Sequence, residues 1–313
     1  MNKRLRNALI IGGVALGAMA CTNMAISFLA EQNDDLPIGR GKYYRWRHGN
    51  VYYTKTGQGS PLLLIHDLDA SSSSYEWSKV IPKLARTHTV YALDLLGCGR
   101  SDKPGMTYTN FLYVQLINDF IRNVIKRKTS VAATGDAFAF VVMACNMEPG
   151  LYDRLIGVSP NELSHFTKTP GRSSSVMKYV SHVPIVGTFL YNIGTCRYLI
   201  ADTADREYFY KKQSVPADVI NAYYKGAKNG KGKYLLASIR GDYTNINIVP
   251  ALRKTKNKIC LVGGRVRPWI TKIIDEYKAC NPSIESIFVE GTNYLPQLEA
   301  PDLFVERLSA CLG

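Results

Sequence analysis

Hydrophobic and polar positions divide this chain into a short leading block and a long patterned body. Residues 8–30 carry no charge and follow a polar start that holds Lys3, Arg4 and Arg6. At ~1.5 Å per residue a helix over them reaches roughly 34 Å, enough for a hydrocarbon core of about 30 Å. The densest apolar part, residues 8–20, has the length of a signal peptide. The pattern predicts a membrane segment over residues 1–30 in one of three forms. It is an uncleaved signal anchor, a cleaved signal, or a lipoprotein signal modified at Cys21, which follows Ala18-Met19-Ala20. Each form keeps the basic residues in the cytoplasm and the body of the chain outside. Residues 31–41 are polar, contain Pro37 and Gly39, and predict a tether.

From residue 42 the pattern alternates between strand and helix. Residues 43–47 and 51–55 predict two strands joined at Gly49-Asn50. Residues 62–65 form an unbroken apolar run, the mark of a strand buried on both faces. Ser71 to Ser74 can cap a helix running to Arg86. Residues 89–93 predict the next strand. A long helix follows from Asn110, with Phe111, Val114, Ile117, Ile121 and Val124 on one face and Lys126-Arg127-Lys128 at its end. Further strands are predicted at 131–134, 155–158, 259–262 and 284–289. Strands alternating with helices imply an α/β protein with a mostly parallel sheet covered on both faces. Between residues 160 and 243 the rhythm stops among helical segments rich in tyrosine. This stretch predicts an inserted helical cap within a domain spanning 42–313.

Charge and cysteines change the picture little. The net charge of +14 is spread along the chain, with only short clusters and no nucleic-acid motif. It suits a basic surface near anionic lipid and gives no reason to expect specific nucleic-acid binding. The 7 cysteines are odd in number, lack metal-ligand spacing and read as thiols without a disulfide framework. Free thiols favour a reducing or anaerobic setting, against the outward orientation drawn from the leading block. No cofactor and no metal are implied.

Four segments carry the chemistry. They are Leu64-Ile65-His66-Asp67, the loop from Asp94 through Gly97, Gly99 and Ser101 to Pro104, Thr134-Gly135-Asp136-Ala137-Phe138-Ala139, and Leu295-Pro296-Gln297-Leu298-Glu299-Ala300-Pro301. In this order they resemble the α/β-hydrolase superfamily, in particular its epoxide-hydrolase, haloperoxidase and esterase-like branch, over residues 43–313. The resemblance implies an α/β-hydrolase fold. It makes the first segment a source of an oxyanion-hole amide and the third the nucleophile elbow.

The elbow needs small residues two before and two after the nucleophile. Gly135 and Ala139 fill those places, so the nucleophile position holds Ala137, whose methyl cannot attack a carbonyl or an epoxide. A second register makes Asp136 the nucleophile, as in dehalogenase-like members, but sets Phe138 at a small-residue place. The family's acid position holds Arg267. Some members take the acid from the preceding strand's end, where Glu162 is the candidate. The histidine position, before Leu295-Pro296, holds Tyr294, a poor base at neutral pH. No histidine follows His182. His66 reads as structural, His165 and His182 as polar residues of the cap.

The resemblance leaves a shell. The amides of Phe138 and of Asp67 or Leu68 are expected as an oxyanion-like donor pair. The leading expectation is a membrane-tethered, catalytically inactive pseudohydrolase that binds a small apolar or acyl ligand, or a protein partner, in the old cleft. The alternatives are a hydrolase working through Asp136, Glu162, Tyr294 and cap tyrosines, and a structural envelope protein.

Overall fold

A computed structural model describes residues 2–31, 41–210, 215–228 and 232–312. The leading block forms one helix, α1 (Lys3–Glu31). Among the described residues it is the one helix long and apolar enough to cross a membrane. Of the expected tether, residues 32–40 lie outside the described residues.

The body is an eight-stranded sheet in the order β1-β2-β4-β3-β5-β6-β7-β8. β1 (Lys42–Trp46) and β2 (Gly49–Thr56) form an antiparallel hairpin, and β2 runs antiparallel to β4 (His88–Leu93). All other neighbours are parallel: β3 (Ser60–Ile65), β5 (Thr129–Thr134), β6 (Tyr152–Val158), β7 (Lys258–Gly264) and β8 (Glu285–Val289). Parallel strands need crossovers, and these place helices on both faces. They are α2 (Ile81–Leu84), α3 (Asn110–Phe120), α4 (Ala137–Met147), α5 (Arg172–His182), α6 (Pro184–Gly194), α7 (Arg197–Thr203), α8 (Ala217–Lys228), α9 (Lys233–Arg240), α10 (Val249–Lys254), α11 (Ile270–Cys280), α12 (Pro296–Glu299) and α13 (Pro301–Leu312). Among the described residues, six of them, α5 to α10, lie between β6 and β7.

Strand side chains alternate between two cores because strand periodicity is two. Leu63, Ile65, Val131, Ala133 and Leu261 pack with α3, α4 and α11 on one face. Leu62, Leu64, Ala132, Ile156 and Val262 pack with Trp77, Phe304 and Leu308 on the other.

Three expectations are corrected. Ser73 caps only a 3₁₀ turn, Ser74–Trp77, and the helix to Arg86 shrinks to α2, because Pro82 is tolerated only in a first helical turn. Phe111 is exposed; the buried stripe of α3 runs through Tyr113, Val114, Ile117 and Phe120, and Phe111 sits on the open side of the first turn. Cys260 and Cys311 form a disulfide with Cα atoms 6.3 Å apart. Residue 260 faces α13 in the strand alternation, a proximity that spacing along the chain does not reveal.

Candidate functional site

The site sits at the carboxyl ends of β3, β5, β6 and β7, where four chain segments converge. β5 ends at Thr134, and Gly135 takes φ +53 to turn the chain into α4, with Asp136 at the N-terminal boundary of that helix. A side chain at Gly135 would collide with the Tyr294 hydroxyl and the Asp67 carboxylate as well as strain the backbone. Ala137 is the first residue of α4 and is fully buried. The tip of the elbow therefore presents a methyl group.

Around it runs a continuous polar network. The Tyr294 hydroxyl donates to Asp67 Oδ2 at 2.5 Å. Asp67 Oδ1 accepts the amides of Asp136 at 2.9 Å and Leu68 at 2.8 Å. The Arg267 guanidinium lies 4.6 Å over the Tyr294 ring. It donates to the carbonyls of Ser159 and Pro160 and to Asn161 Oδ1, at 3.0, 3.3 and 3.1 Å. Asn161 Nδ2 returns to Asp136 Oδ1 at 2.6 Å, and His165 Nε2 stands 3.4 Å from Asp136 Oδ2. Tyr208, from the cap side, stacks on Tyr294 with ring centroids 5.6 Å apart.

This arrangement brings Ala137, Arg267, Tyr294 and Asp136 together and leaves Glu162 out. Glu162 is exposed and its carboxylate accepts from Ser164. The donor pair expected from the sequence is not free. The Asp67 amide donates to Glu76 Oε2 at 2.9 Å, the Leu68 amide to the Asp67 side chain, and the Phe138 amide to Gly135 O at 3.3 Å. The aspartate that follows the strand-end histidine thus takes the Leu68 amide, and the neighbouring Asp136 amide, with its own carboxylate.

His66 is structural. It is fully buried, Nε2 accepts the Leu95 amide at 3.0 Å, and Nδ1 lies 2.6 Å from Asp67 O. An acceptor Nε2 fixes the neutral tautomer with the proton on Nδ1, and burial lowers its pKa further.

The electrostatics favour protonated acids. Burial and then the Asp136 charge raise Asp67 to about 7, while its bonds to Tyr294 and two amides pull the other way. Burial and then the Asp67 charge raise Glu76 to about 8. Burial, reinforced by Asp67, holds the Tyr294 hydroxyl protonated far above neutral pH. His165 is raised, first by its hydrogen bond to Asp136.

Sequence reasoning missed Glu76, Asn161, the contact of His165 with Asp136, and Ser159. Ser159 takes φ 48 and is fully buried, and among the described residues its Oγ has no partner. Its place at the end of β6, beside the expected acid position, is the one signal that pointed there.

Comparison with known proteins agrees with the fold. The sequence profile of the alpha/beta hydrolase family matches residues 62–307. Over 71 residues the chain is 41% identical to a 2-hydroxy-6-oxo-6-(2'-aminophenyl)hexa-2,4-dienoic acid hydrolase of Metapseudomonas resinovorans, covering 22% of this chain and 24% of that one. Over 54 residues it is 48% identical to a soluble epoxide hydrolase of Corynebacterium sp. strain C12, covering 17% and 18%. The chain thus spans a quarter or less of the length of these relatives. Among solved structures, a serine hydrolase involved in carbazole degradation superposes with TM-score 0.72 at 18% identity, covering 87% of this chain and 98% of that one. A membrane phospholipase A, described as a bacterial virulence factor, superposes with TM-score 0.67 at 17% identity over 100% and 98%. At such identities the likeness is one of fold.

Proposed function

The chain belongs to the alpha/beta hydrolase family, and we propose that this member is a membrane-tethered pseudohydrolase that binds a small apolar or acyl-type ligand, or a protein partner, beneath its cap. The observation that carries the reading is the methyl group of Ala137 at the elbow, beside a network in which Tyr294 is already bonded to Asp67. A hydrolase of this fold needs a nucleophile, a base to deprotonate it and donors for the oxyanion. Here the first is absent, the second is a buried phenol, and the third are occupied. The apolar character of the expected ligand follows from the tyrosines over the site, Tyr208, Tyr223 and Tyr294, which pack with Leu295 and Leu298. The Cys260–Cys311 disulfide supports an extracytoplasmic body, because disulfides persist where the setting is oxidising.

The test is hydrolysis of short p-nitrophenyl esters by the full chain in detergent. The expected rate matches that of heat-denatured protein. Turnover well above that control would overturn the reading.

One observation favours a second reading, an active hydrolase with Asp136 as its reacting carboxylate. His165 lies 3.4 Å from Asp136 Oδ2, an acid–imidazole pair in the site itself. Under that reading the turnover exists and disappears on Asp136→Asn.

A further inference from the structure

We infer that the cap is seated in the lipid surface, so that α5, α6 and α7 form a membrane-docking face continuous with α1. The inference rests on the reading that α1 crosses a bilayer.

Residues 8–28 of α1 span ~30 Å at about 1.5 Å per residue, which is what a hydrocarbon core of about 30 Å requires. No part of this run can be withdrawn into water if the helix is to cross. Yet its far half is bound to the cap. Met19, Ala20, Asn23 and Ile26, a face with helical spacing, are the residues of α1 that become partly covered, and α1 packs against α6. Asn23 Nδ2 donates to Ile185 O and Asn23 Oδ1 accepts from Asn192 Nδ2, each at 3.0 Å. An asparagine inside an apolar run is satisfied there by the cap, as a polar group at membrane depth must be. Asn23 lies five residues before Phe28, so it sits roughly 8 Å inside the run. Whatever is bonded to it lies at the boundary of headgroups and acyl chains.

The cap surface fits that depth. α6 carries no charged residue and exposes Leu190 and Ile193, each by 50%. Its neighbours expose Val176, Tyr179 and Tyr198 by 63%, 75% and 76%. Tyrosines with an apolar body and a polar tip suit the interface. The sequence from residue 163 to 201 holds no acid, while Lys168, Arg172, Lys178 and Arg197 are exposed. Basic residues beside an apolar face complement anionic headgroups. The occupant is therefore a bilayer containing anionic lipid.

The face is also wired to the site. Lys228 on α8 donates to Asn192 O, Asn192 Oδ1 and Thr195 Oγ1 on the α6 side. Tyr223 of the same helix donates to Glu76, which holds the Asp67 amide. The bilayer-seated elements are thus linked to the site through α8.

The experiment places single tryptophans in the full chain, reconstituted in vesicles of phosphatidylcholine and phosphatidylglycerol with brominated acyl chains. Ile193→Trp reports on α6 and Tyr198→Trp on α7, so that one reporter remains if the other variant does not fold. Met147→Trp, exposed at the far end of α4, is the control, and the native emission is subtracted. The expected result is loss of most of the added emission at 193 and 198, with that at 147 unchanged. If the protein floats with the vesicles and the cap reporters are not quenched, the docking face is overturned while the tether stands. If the cap emission is blue-shifted but unquenched, a second protein copy covers the face, and the inference is equally overturned. If the protein does not float with vesicles at all, the tether reading fails first, and this inference with it.

Discussion

The loop of residues 94–104 and the corner formed by Ala137, Arg267 and Tyr294 lie on the same edge of the sheet and have opposite characters. In the loop, each residue of the family pattern has a structural task. Asp94 is 1% exposed and accepts the Ser74 amide at 2.7 Å and the Arg100 amide at 2.8 Å. Gly99 has φ +48 and leaves no room for a side chain beside that carboxylate. Ser101 donates to Asp94 O and accepts the Tyr52 amide, while Asp102 accepts the Asn50 amide. Lys103 reaches Gly99 O and, across to the cap, Gly226 O. In the corner Ala137 presents a methyl group, and Arg267 lies over the ring of Tyr294, whose hydroxyl is bonded to Asp67. The contrast teaches that motif resemblance reports on folding constraints, which the loop answers, and leaves chemistry to be argued at the site.

The largest expected effect falls on the loop. Asp94→Ala removes the acceptor of the buried Ser74 amide and the bond to the part-buried Arg100 amide, at about 1–3 kcal/mol each. The expected loss is about 2–5 kcal/mol in denaturant unfolding of the full chain in detergent. A loss no greater than that of an average surface substitution would erase the contrast, because the loop would then be held by something other than this carboxylate.

Next comes pH. Asp67 and Glu76 are raised to about 7 and about 8 in the folded protein. Between the unfolded carboxylate range, near pH 4, and those values the native state binds more protons than the unfolded state. Stability therefore falls as pH rises through this window. Asp67 and Glu76 oppose each other's ionisation, so they act as one site and not two independent ones. Glu76→Gln should flatten the fall and recover on the order of 3 kcal/mol at pH 8. A profile that rises over this interval, or an unchanged slope in the variant, would contradict the buried acid pair.

A smaller effect is expected at the hydroxyl that closes the corner. Tyr294→Phe removes the bond to Asp67 Oδ2 and keeps the ring stacked on Tyr208. The expected cost is about 1 kcal/mol. Because that bond lowers the Asp67 pKa, its loss should extend the pH-dependent fall to higher pH. A variant as stable as the wild type with the same pH profile would mean that the network does not hold the corner.

Much of the fold is legible in the sequence because it depends on local signals. The strand runs at 62–65 and 131–134 are buried on both faces, and Gly135 and Ala139 flank the elbow where a sharp turn demands small residues. What stays hidden depends on groups that meet through space. Nothing in the spacing of Glu76, Asn161 and His165 announces that they border Asp67, Asp136 and Arg267. The donor amides do lie at the strand ends. That the Asp67 carboxylate takes the Leu68 amide is invisible in the sequence, because a side chain that folds back on its own segment leaves no periodic trace. The same holds for Cys260 and Cys311, which 51 residues separate.

The smallest expected effect is on activity, at Ala137→Ser. A hydroxyl there has no base within the family geometry, because Tyr294 is a buried phenol bonded to Asp67. An imidazole at 294 would lie under the Arg267 guanidinium, now 4.6 Å from the ring. That charge would lower its pKa and oppose the imidazolium formed during attack. Ala137→Ser alone should therefore remain at background. The triple change Ala137→Ser, Tyr294→His and Arg267→Asp should exceed the sum of its single variants, since the three groups act as a unit. It should still be held back by the Asp67 carboxylate, which occupies the Leu68 and Asp136 amides. Adding Asp67→Gly to the triple variant frees donors of the kind worth about 10²–10³ in rate. The measurement is hydrolysis of short activated esters by the single, triple and quadruple variants. Robust turnover by Ala137→Ser alone would mean that a base already stands within reach of residue 137, with His165 the first to examine. The corner would then be a working site lacking one atom group, and its contrast with the loop would collapse.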